Sequence, residues 1–529
     1  MTQDPPRTGL GGAATHRARQ RRTVIVGAGA AGSPLAARLS EDPGRSVVLI
    51  EAGPGGREAP ELLDGGALRG ASPDHPANWA YPAELAPGHP YVVARGRILG
   101  GSTAINGGYF TRATPADFAR WASAGGPEWS YERALPVLRA LEHDLDYGAS
   151  PLHGAHGPMR VARPPQSAPA SAAFHSAARE LGFAEEADKN AGGPPGIGPV
   201  PSNIIDGVRV STSAAYLAGA RGRLEILSGT RVLRVIVDGV ARESGAGGDA
   251  RVAGVETDRG FIEADEVVLA AGAVATPQLL MLSGIGPREH LAEFGIRVAA
   301  DLPVGMAFSD HPNLALEWRT RRPIVDWDAG FGFPTALNFD SASGDPSLSS
   351  RPEADLEILL AAKPLGFLLS GERPSPEVLQ FLVALQDHAG RGRLSLASAD
   401  PLAPPRIEYR YLERGEDRGR LRVAVRTAAR LLRTRAFADV FAGLTELDDA
   451  TLADDGALDG WVLDHLGTAL HTCGTAPMGS VVDGAGAVRG ISGLRVADTS
   501  ILPTAPHRGP ANTAVFIGEF IARRMLDEG

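Results

Sequence analysis

A chain of 529 residues with 43% hydrophobic and 22% charged side chains can build two or more apolar cores and is too apolar to stay disordered. A formal net charge of -10 offers no general attraction for phosphate backbones, so nucleic-acid binding is disfavoured. With Cys473 as its one cysteine the chain has no internal disulfide and no multi-cysteine zinc site, and a reducing cytoplasm is the expected setting.

The segment Met1 to Arg22 is basic but lacks an apolar h-region, so no signal peptide is expected. No run of about 18 apolar residues follows anywhere, which excludes a spanning helix and leaves peripheral membrane contact open. Lys189 and Lys363 are the only lysines, a bias that reads as GC-rich coding.

The β-branched run Thr23 to Val26 predicts a strand. "GAGAAG" then leads into a helix from Ser33 to Leu39, and "SVVLIEAG" predicts a second strand. Gly27, Gly29 and Gly32 form G-x-G-x-x-G after the strand, and Glu51 lies nineteen residues beyond Gly32. The glycines supply a tight turn, close approach to a pyrophosphate and close helix packing. The acid suits ribose hydroxyls, which favours FAD or NAD over NADP.

Further on, "HGAHGP" (His153 to Pro158) holds two histidines with no Cys or carboxylate cluster beside them in sequence. It reads as a structural loop and no metal site is expected. "LEILSGTRVLRVIVD" and "EADEVVLAAGAVATPQLLMLSGIG" are strand-rich and flank the loop "RESGAGGDA", whose composition marks a hairpin or insertion. From about Asp310 to Trp461, alternating runs such as "RGRLSLASAD" and "RIEYRYL" precede a helical "RGRLRVAVRTAARLLRTRAF". That pattern predicts a second domain of sheet covered by helices.

Several long segments together resemble the glucose-methanol-choline (GMC) flavoprotein oxidoreductases. They are "VVARGRILGGSTAINGGYF", "GAVATPQLLMLSGIGP", "VGMAFSDHP", "HTCGTAPMG" and "GLRVADTSILP", in family order, and the resemblance runs from Thr23 to Met525. Two stretches, "LPTAPHRGPANTAVFIGE" and "ATPADFARWASAGGPEWSYERALPVLRALEHDLDYG", are similar to the mycofactocin-associated branch.

The resemblance implies an α/β fold, α+β overall, with a Rossmann-like FAD-binding domain over 22–310, carrying insertions and completed by 462–529. A substrate domain of antiparallel sheet covered by helices would span 311–461. FAD would lie along Gly27, Gly29, Gly32 and Glu51 at one end and Arg97, Gly100, Gly101, Ser102 and Asn106 at the other, with Val232, Gly272 and Asp498 also at the cofactor. Some members attach FAD through a His just before the matching Asn; Ile105 stands there, so dissociable FAD is expected.

Oxidising an alcohol requires a base for the hydroxyl proton beside the hydride acceptor, flavin N5. His471, in "HTCGT", matches the family's catalytic histidine, and imidazole suits the task. Asp464 and His465 read as helix surface, and Cys473 as a small buried packer. Counting from Asp498, the family's second catalytic residue, His or Asn, falls on Gly509, a departure from the pattern. His507 and Asn512 are the expected substitutes, with Arg508 a further candidate. Pro510 suits the start of a helix whose free N–H groups would face the flavin.

The expected function is oxidation of an alcohol, with a dehydrogenase favoured over an oxidase. The mycofactocin branch implies a reduced redox peptide as substrate and an electron-acceptor partner. A simple alcohol or choline-type oxidase or dehydrogenase is the alternative, and a flavin-bearing lyase or decarboxylase of the same fold is an alternative of another class.

Overall fold

The first β-branched run becomes the centre of a parallel sheet because both its faces and both its edges are covered. The structure, a computed structural model, describes residues 20–55, 59–220, 222–239, 250–351 and 353–528. Five parallel strands lie in the order Glu225–Ser228, Arg45–Glu51, Arg21–Val26, Glu266–Leu269 and Leu494–Val496. Val24 sits in register between Val48 and Val267, and Ile25 between Leu49 and Val268, all buried. Such near-continuous apolar strands belong to a sheet shielded on both faces. Glu225–Ser228, Glu266–Leu269 and Leu494–Val496 join this sheet from later parts of the chain.

The helix Gly32–Leu39 packs against the C-terminal helix Ala511–Asp527. Their backbones approach so closely at Gly518 that a Cβ there would lie 2.2 Å from the Ala31 carbonyl oxygen. Arg38 ties the pair together by donating from Nε and Nη2 to the buried Glu519 carboxylate at 3.0 to 3.1 Å. This fixes where the start of the C-terminal helix points.

Val232–Asp238 and Arg251–Thr257 pair antiparallel and are followed by Gly260–Glu263, consistent with the hairpin read from composition. Most of the "RESGAGGDA" loop lies outside the described residues.

A second, antiparallel sheet runs in the order Phe441–Leu444, Pro312–Thr320, Val378–Leu385, Leu356–Ala361, Thr335–Phe339 and Ile197–Pro199, and Leu466–Thr468 also pairs with Pro312–Thr320. The helix Gly415–Leu432 covers one face, burying Leu421, Val425 and Ala428 against the strands. The architecture is the expected α/β sheet joined to an antiparallel sheet under helices. No helix among the described residues is long and apolar enough to cross a membrane.

Candidate active site

A cavity of about 820 Å³ lies between the carboxyl ends of the parallel strands and the antiparallel sheet. At one end the first strand turns at Gly27 with φ +100, where a Cβ would come 2.5 Å from the Ala270 carbonyl oxygen. Gly101, with φ +53, presses against Gly29, its Cβ position 2.7 Å from the Gly29 Cα. Two bare backbone turns thus share one wall, the surface a pyrophosphate needs for close approach.

Glu51 closes that end. Its carboxylate accepts the Ala28 and Gly53 N–H groups at 3.0 and 2.8 Å, while burial pushes its pKa up to about 7. Trp79 also lines this region, held between Arg97 and Arg231 at 5.2 and 5.1 Å from its ring centroid.

Of the residues expected at the cofactor, Gly27, Gly29, Glu51, Gly101, Ser102, Asn106, Val232, Gly272 and Asp498 line the cavity. Asp498 accepts the Gly272 N–H at 2.9 Å and the Thr276 hydroxyl at 2.6 Å, pinning the start of the helix Gly272–Leu282. Three stand back from the lining. Gly32 serves helix packing, since a Cβ there would lie 1.9 Å from the Gly27 carbonyl oxygen. Gly100 donates its N–H to the Ala28 carbonyl at 2.7 Å, and Arg97 acts through Trp79.

At the far end lies His471. The preceding residue, Leu470, is held at φ 66, a costly conformation for a branched side chain. This local strain directs the His471 N–H onto Asp310 Oδ1 at 2.8 Å. Asp310 is a buried hub that also accepts the His311 N–H and the Thr468 and Thr472 hydroxyls. The His471 ring places Nδ1 2.8 Å from Nδ1 of His311. Burial, reinforced by the Arg95 guanidinium, pushes the His471 pKa down to about 3, and burial holds His311 well below the usual range.

At Gly509, the position reached by counting from Asp498, an added Cβ would be 3.4 Å from His471 Nε2. It would also be 2.9 Å from Cδ1 of Tyr109, so an aromatic ring already fills the adjoining space.

Of the expected substitutes for residue 509, His507 and Arg508 make their hydrogen bonds away from His471. His507 is buried, and its Nδ1 lies 2.9 Å from Asp117 Oδ1, while its backbone N–H is donated to the same carboxylate. Asp117 also closes the capping box of the helix Pro115–Gly125, so His507 anchors the turn to that helix. Arg508 is buried and donates from Nη2 to Glu186 at 3.0 Å. Asn512 lies in the first turn of the C-terminal helix and is absent from the cavity lining, to which Pro510, Ala511 and Ala514 contribute.

Two further readings change. His465 is part of the lining, stacked on Trp461 at 4.2 Å between ring centroids. His153 does have carboxylates around it: Glu142, Asp144 and Asp188 lie within 3.0 Å of its ring nitrogens. The fold brings them from outside the loop. Arg112 pairs with Glu142, Arg163 bridges Asp144 and Asp188, and the acids hold His153 up at about 10. Three basic side chains thus face three carboxylates, and Glu142, Asp144 and His153 together also offer the ligand atoms of a candidate metal group.

Asp310, His311, Arg95, Tyr109 and Glu357 are site residues to which sequence reasoning assigned no role. For His311 the signal was "SDHP", within a segment already matched to the family.

A family model described as GMC oxidoreductase matches in two parts, the N-terminal over residues 21–313 and the C-terminal over residues 389–518. A GMC-type oxidoreductase of Rhodococcus erythropolis, itself uncharacterized, is 38% identical over 523 residues, covering 96% of this chain and 98% of that one. The oxygen-dependent choline dehydrogenase of Rhizobium meliloti (strain 1021) is 32% identical over 535 residues, 95% of each chain. Among solved structures, pyridoxine 4-oxidase from Mesorbium loti superposes with a TM-score of 0.85 at 28% identity over 96% of this chain and 99% of that one. The glycine-lined, acid-capped cavity fits a dinucleotide, and with these matches the chain belongs to the GMC oxidoreductases, FAD-dependent enzymes acting on CH–OH donors.

Proposed function

We propose that this chain oxidises an alcohol with His471 as the general base. The observation that carries the reading is His471 on the cavity wall, its Nε2 3.4 Å from where a Cβ on side-chain-free Gly509 would stand, with desolvation holding the ring's pKa down to about 3. FAD, when bound along the glycine-lined wall, supplies the acceptor for the carbinol hydride.

The histidine pair sets which nitrogen is basic. With the shared proton on His471 Nδ1, His311 Nδ1 is the acceptor, while His311 Nε2 is buried with no hydrogen-bond partner among the described residues. His471 then donates from Nδ1, and its Nε2 is free to take the hydroxyl proton. When Nε2 is protonated, the Nδ1–H bond to His311 spreads the new charge. The C-terminal helix begins at the cavity with Pro510 and Ala511, so its free N–H groups and positive end favour negative charge developing there.

Within this reading, FAD is dissociable, because Ile105 offers no nucleophile for attachment. The chain then divides into a cofactor domain over 22–310 with 462–529 and a substrate domain over 311–461, with Ile197–Pro199 and Leu466–Thr468 crossing from the first into the antiparallel sheet of the second. The resemblance of residues 113–148 and 502–519 to the mycofactocin-associated branch supports a cytoplasmic dehydrogenase that takes reduced mycofactocin and hands electrons to a partner other than oxygen.

The test is to purify the protein, record its visible spectrum and mix it anaerobically with reduced mycofactocin and with primary alcohols. Bleaching by the peptide alone is expected. Bleaching by a simple alcohol would place the enzyme with the alcohol oxidases and dehydrogenases, and a yellow protein bleached by neither overturns the substrate assignment.

A further inference from the structure

The antiparallel sheet presents the cavity with one polar row in an otherwise apolar wall. Asn338 pairs with Glu357, Glu357 with Ala384 and Ala384 with Asn313, in register across four neighbouring strands. Side chains in such a row share a face, and two strand spacings set Glu357 and Asn313 about 10 Å apart with only a methyl group between them. Glu357, Ala384 and Asn313 all line the cavity. The adjoining wall is Leu359, Leu365, Leu369, Leu382 and Phe333.

Glu357 is held rigidly. Its Oε2 accepts the Tyr109 hydroxyl at 2.7 Å and the Asn338 amide at 3.0 Å, and Asn338 in turn accepts from Lys189 at 3.0 Å. Both contacts to Glu357 fall on Oε2, which leaves Oε1 for a ligand. Asn313 Oδ1 is buried with no hydrogen-bond partner among the described residues. The remaining Glu357 oxygen and the Asn313 amide, whose unpaired oxygen a flip of the amide would turn to the cavity, flank a slot floored by Ala384, and an unpaired acceptor is costly unless a ligand or water supplies the donor.

We propose that Glu357 and Asn313 form a recognition subsite for a hydrogen-bond-donating group of the substrate, a hydroxyl, ammonium or amide N–H, remote from the carbinol that His471 deprotonates. Tyr109 is the positioning residue between the two ends: its ring borders the His471 and Gly509 corner, and its hydroxyl fixes Glu357. The substrate is therefore bifunctional, an alcohol with an apolar body and a second polar donor. This rests on the alcohol-oxidising reading above and extends it. A site built to bond such a group discriminates strongly against analogues lacking it.

The test compares 1-hexanol, 1,6-hexanediol and 6-amino-1-hexanol as reductants of the holoenzyme, and calorimetric binding of 1-aminohexane and 1-methoxyhexane, which carry no carbinol. The donor-bearing member of each set is expected to be favoured at least tenfold, in KM and Kd and not in kcat. The hydroxyl and ammonium arms identify which donor is preferred. In Glu357→Gln the preference for the ammonium compounds should fall toward one. Asn313→Ala, read by the same ratios, serves if the first variant lacks FAD or loses its melting transition. Tyr109→Phe, which keeps the ring and frees the carboxylate, should raise KM for 1,6-hexanediol and 6-amino-1-hexanol more than for 1-hexanol. Equal affinity for both members in the wild type, or an undiminished ratio in Glu357→Gln, overturns the subsite. Preferential binding of 1-aminohexane with no bleaching by any alcohol or by reduced mycofactocin leaves the subsite standing and removes the oxidation reading instead.

Discussion

His471 and His311 meet through their Nδ1 atoms at 2.8 Å, their rings crossing at 82°. Only one nitrogen of such a pair carries the shared proton, so His311 selects the His471 tautomer. Replacing His311 by Phe removes the acceptor and is expected to lower kcat about 10-fold to 100-fold, less than the roughly 100-fold to 10,000-fold that a general base itself contributes, because His471 remains. His311→Gln offers an acceptor oxygen and should recover part of the loss. Stopped-flow reduction rates for the two variants, each checked for FAD content, provide the comparison; equal rates in His311→Phe and wild type would remove His311 from the base's control.

The depressed pKa of His471 dictates the pH profile. An ordinary imidazole near 6.5 would impose an acid limb in that region. Held down to about 3 by burial and Arg95, His471 stays a free base throughout the working range. The ratio kcat/KM measured from pH 9 down to pH 5 is thus expected to show no inflection near 6.5, provided the substrate does not titrate there. A limb with a midpoint at 6 to 7 that vanished on replacing His471 would contradict the burial argument.

The parts of this site legible in the sequence are those whose chemistry is local. Gly27 and Glu51 belong to one β-α-β unit, so spacing alone placed them on one wall of the cavity. His471 was carried by a long contiguous signature. The missed parts depend on partners far away in sequence. His507 looked free in a Gly/Pro turn, but Asp117, 390 residues earlier, claims it. Glu357 is an ordinary strand residue until register sets it beside Asn338 and Ala384. The two lysines also acquire a physical reason that composition could not supply. Lys189 Nζ reaches Glu186, the Gly196 carbonyl and Asn338, three acceptors for three ammonium donors, and Lys363 Nζ reaches the Gly66 and Ala329 carbonyls. Both sit in buried slots that suit a compact ammonium better than a planar guanidinium.

His388 makes stability depend on pH. It is buried against Tyr411 with the Asp417 carboxylate 3.6 Å from Nε2, and burial and Arg391 hold it down to about 3. In the unfolded chain the ring titrates near 6.5, so between those values the unfolded state binds a proton that the native state does not. Stability therefore rises with pH through this window and is lost as pH falls below about 6.5. At pH 5 the loss from this group is about 2 kcal/mol. Replacing His388 by Phe should flatten that part of the acid slope in denaturant titrations at pH 7 and pH 5, even if it shifts stability at pH 7. An unchanged difference between the two pH values would mean that the native ring protonates freely.

Gly509 and Tyr109 are coupled by size. The Cβ of any residue at 509 would fall 2.9 Å from Tyr109 Cδ1, closer than carbon atoms tolerate, while the φ at 509 lies outside the region reserved for glycine. The obstacle is thus the ring and not the backbone. Gly509→Asn alone should destabilise the protein by about 1–3 kcal/mol, the usual range for overpacking, and crowd His471. Tyr109→Ala alone opens a cavity and releases Glu357. Together the two changes relieve each other sterically, so the double variant should be more stable than the sum of the single losses allows, with a coupling of about 1 kcal/mol or more. Thermal melting of the four proteins measures that coupling directly. Additive losses would show that the Tyr109 ring moves aside without cost, and the bare position at 509 would then need a different explanation from occupancy by Tyr109.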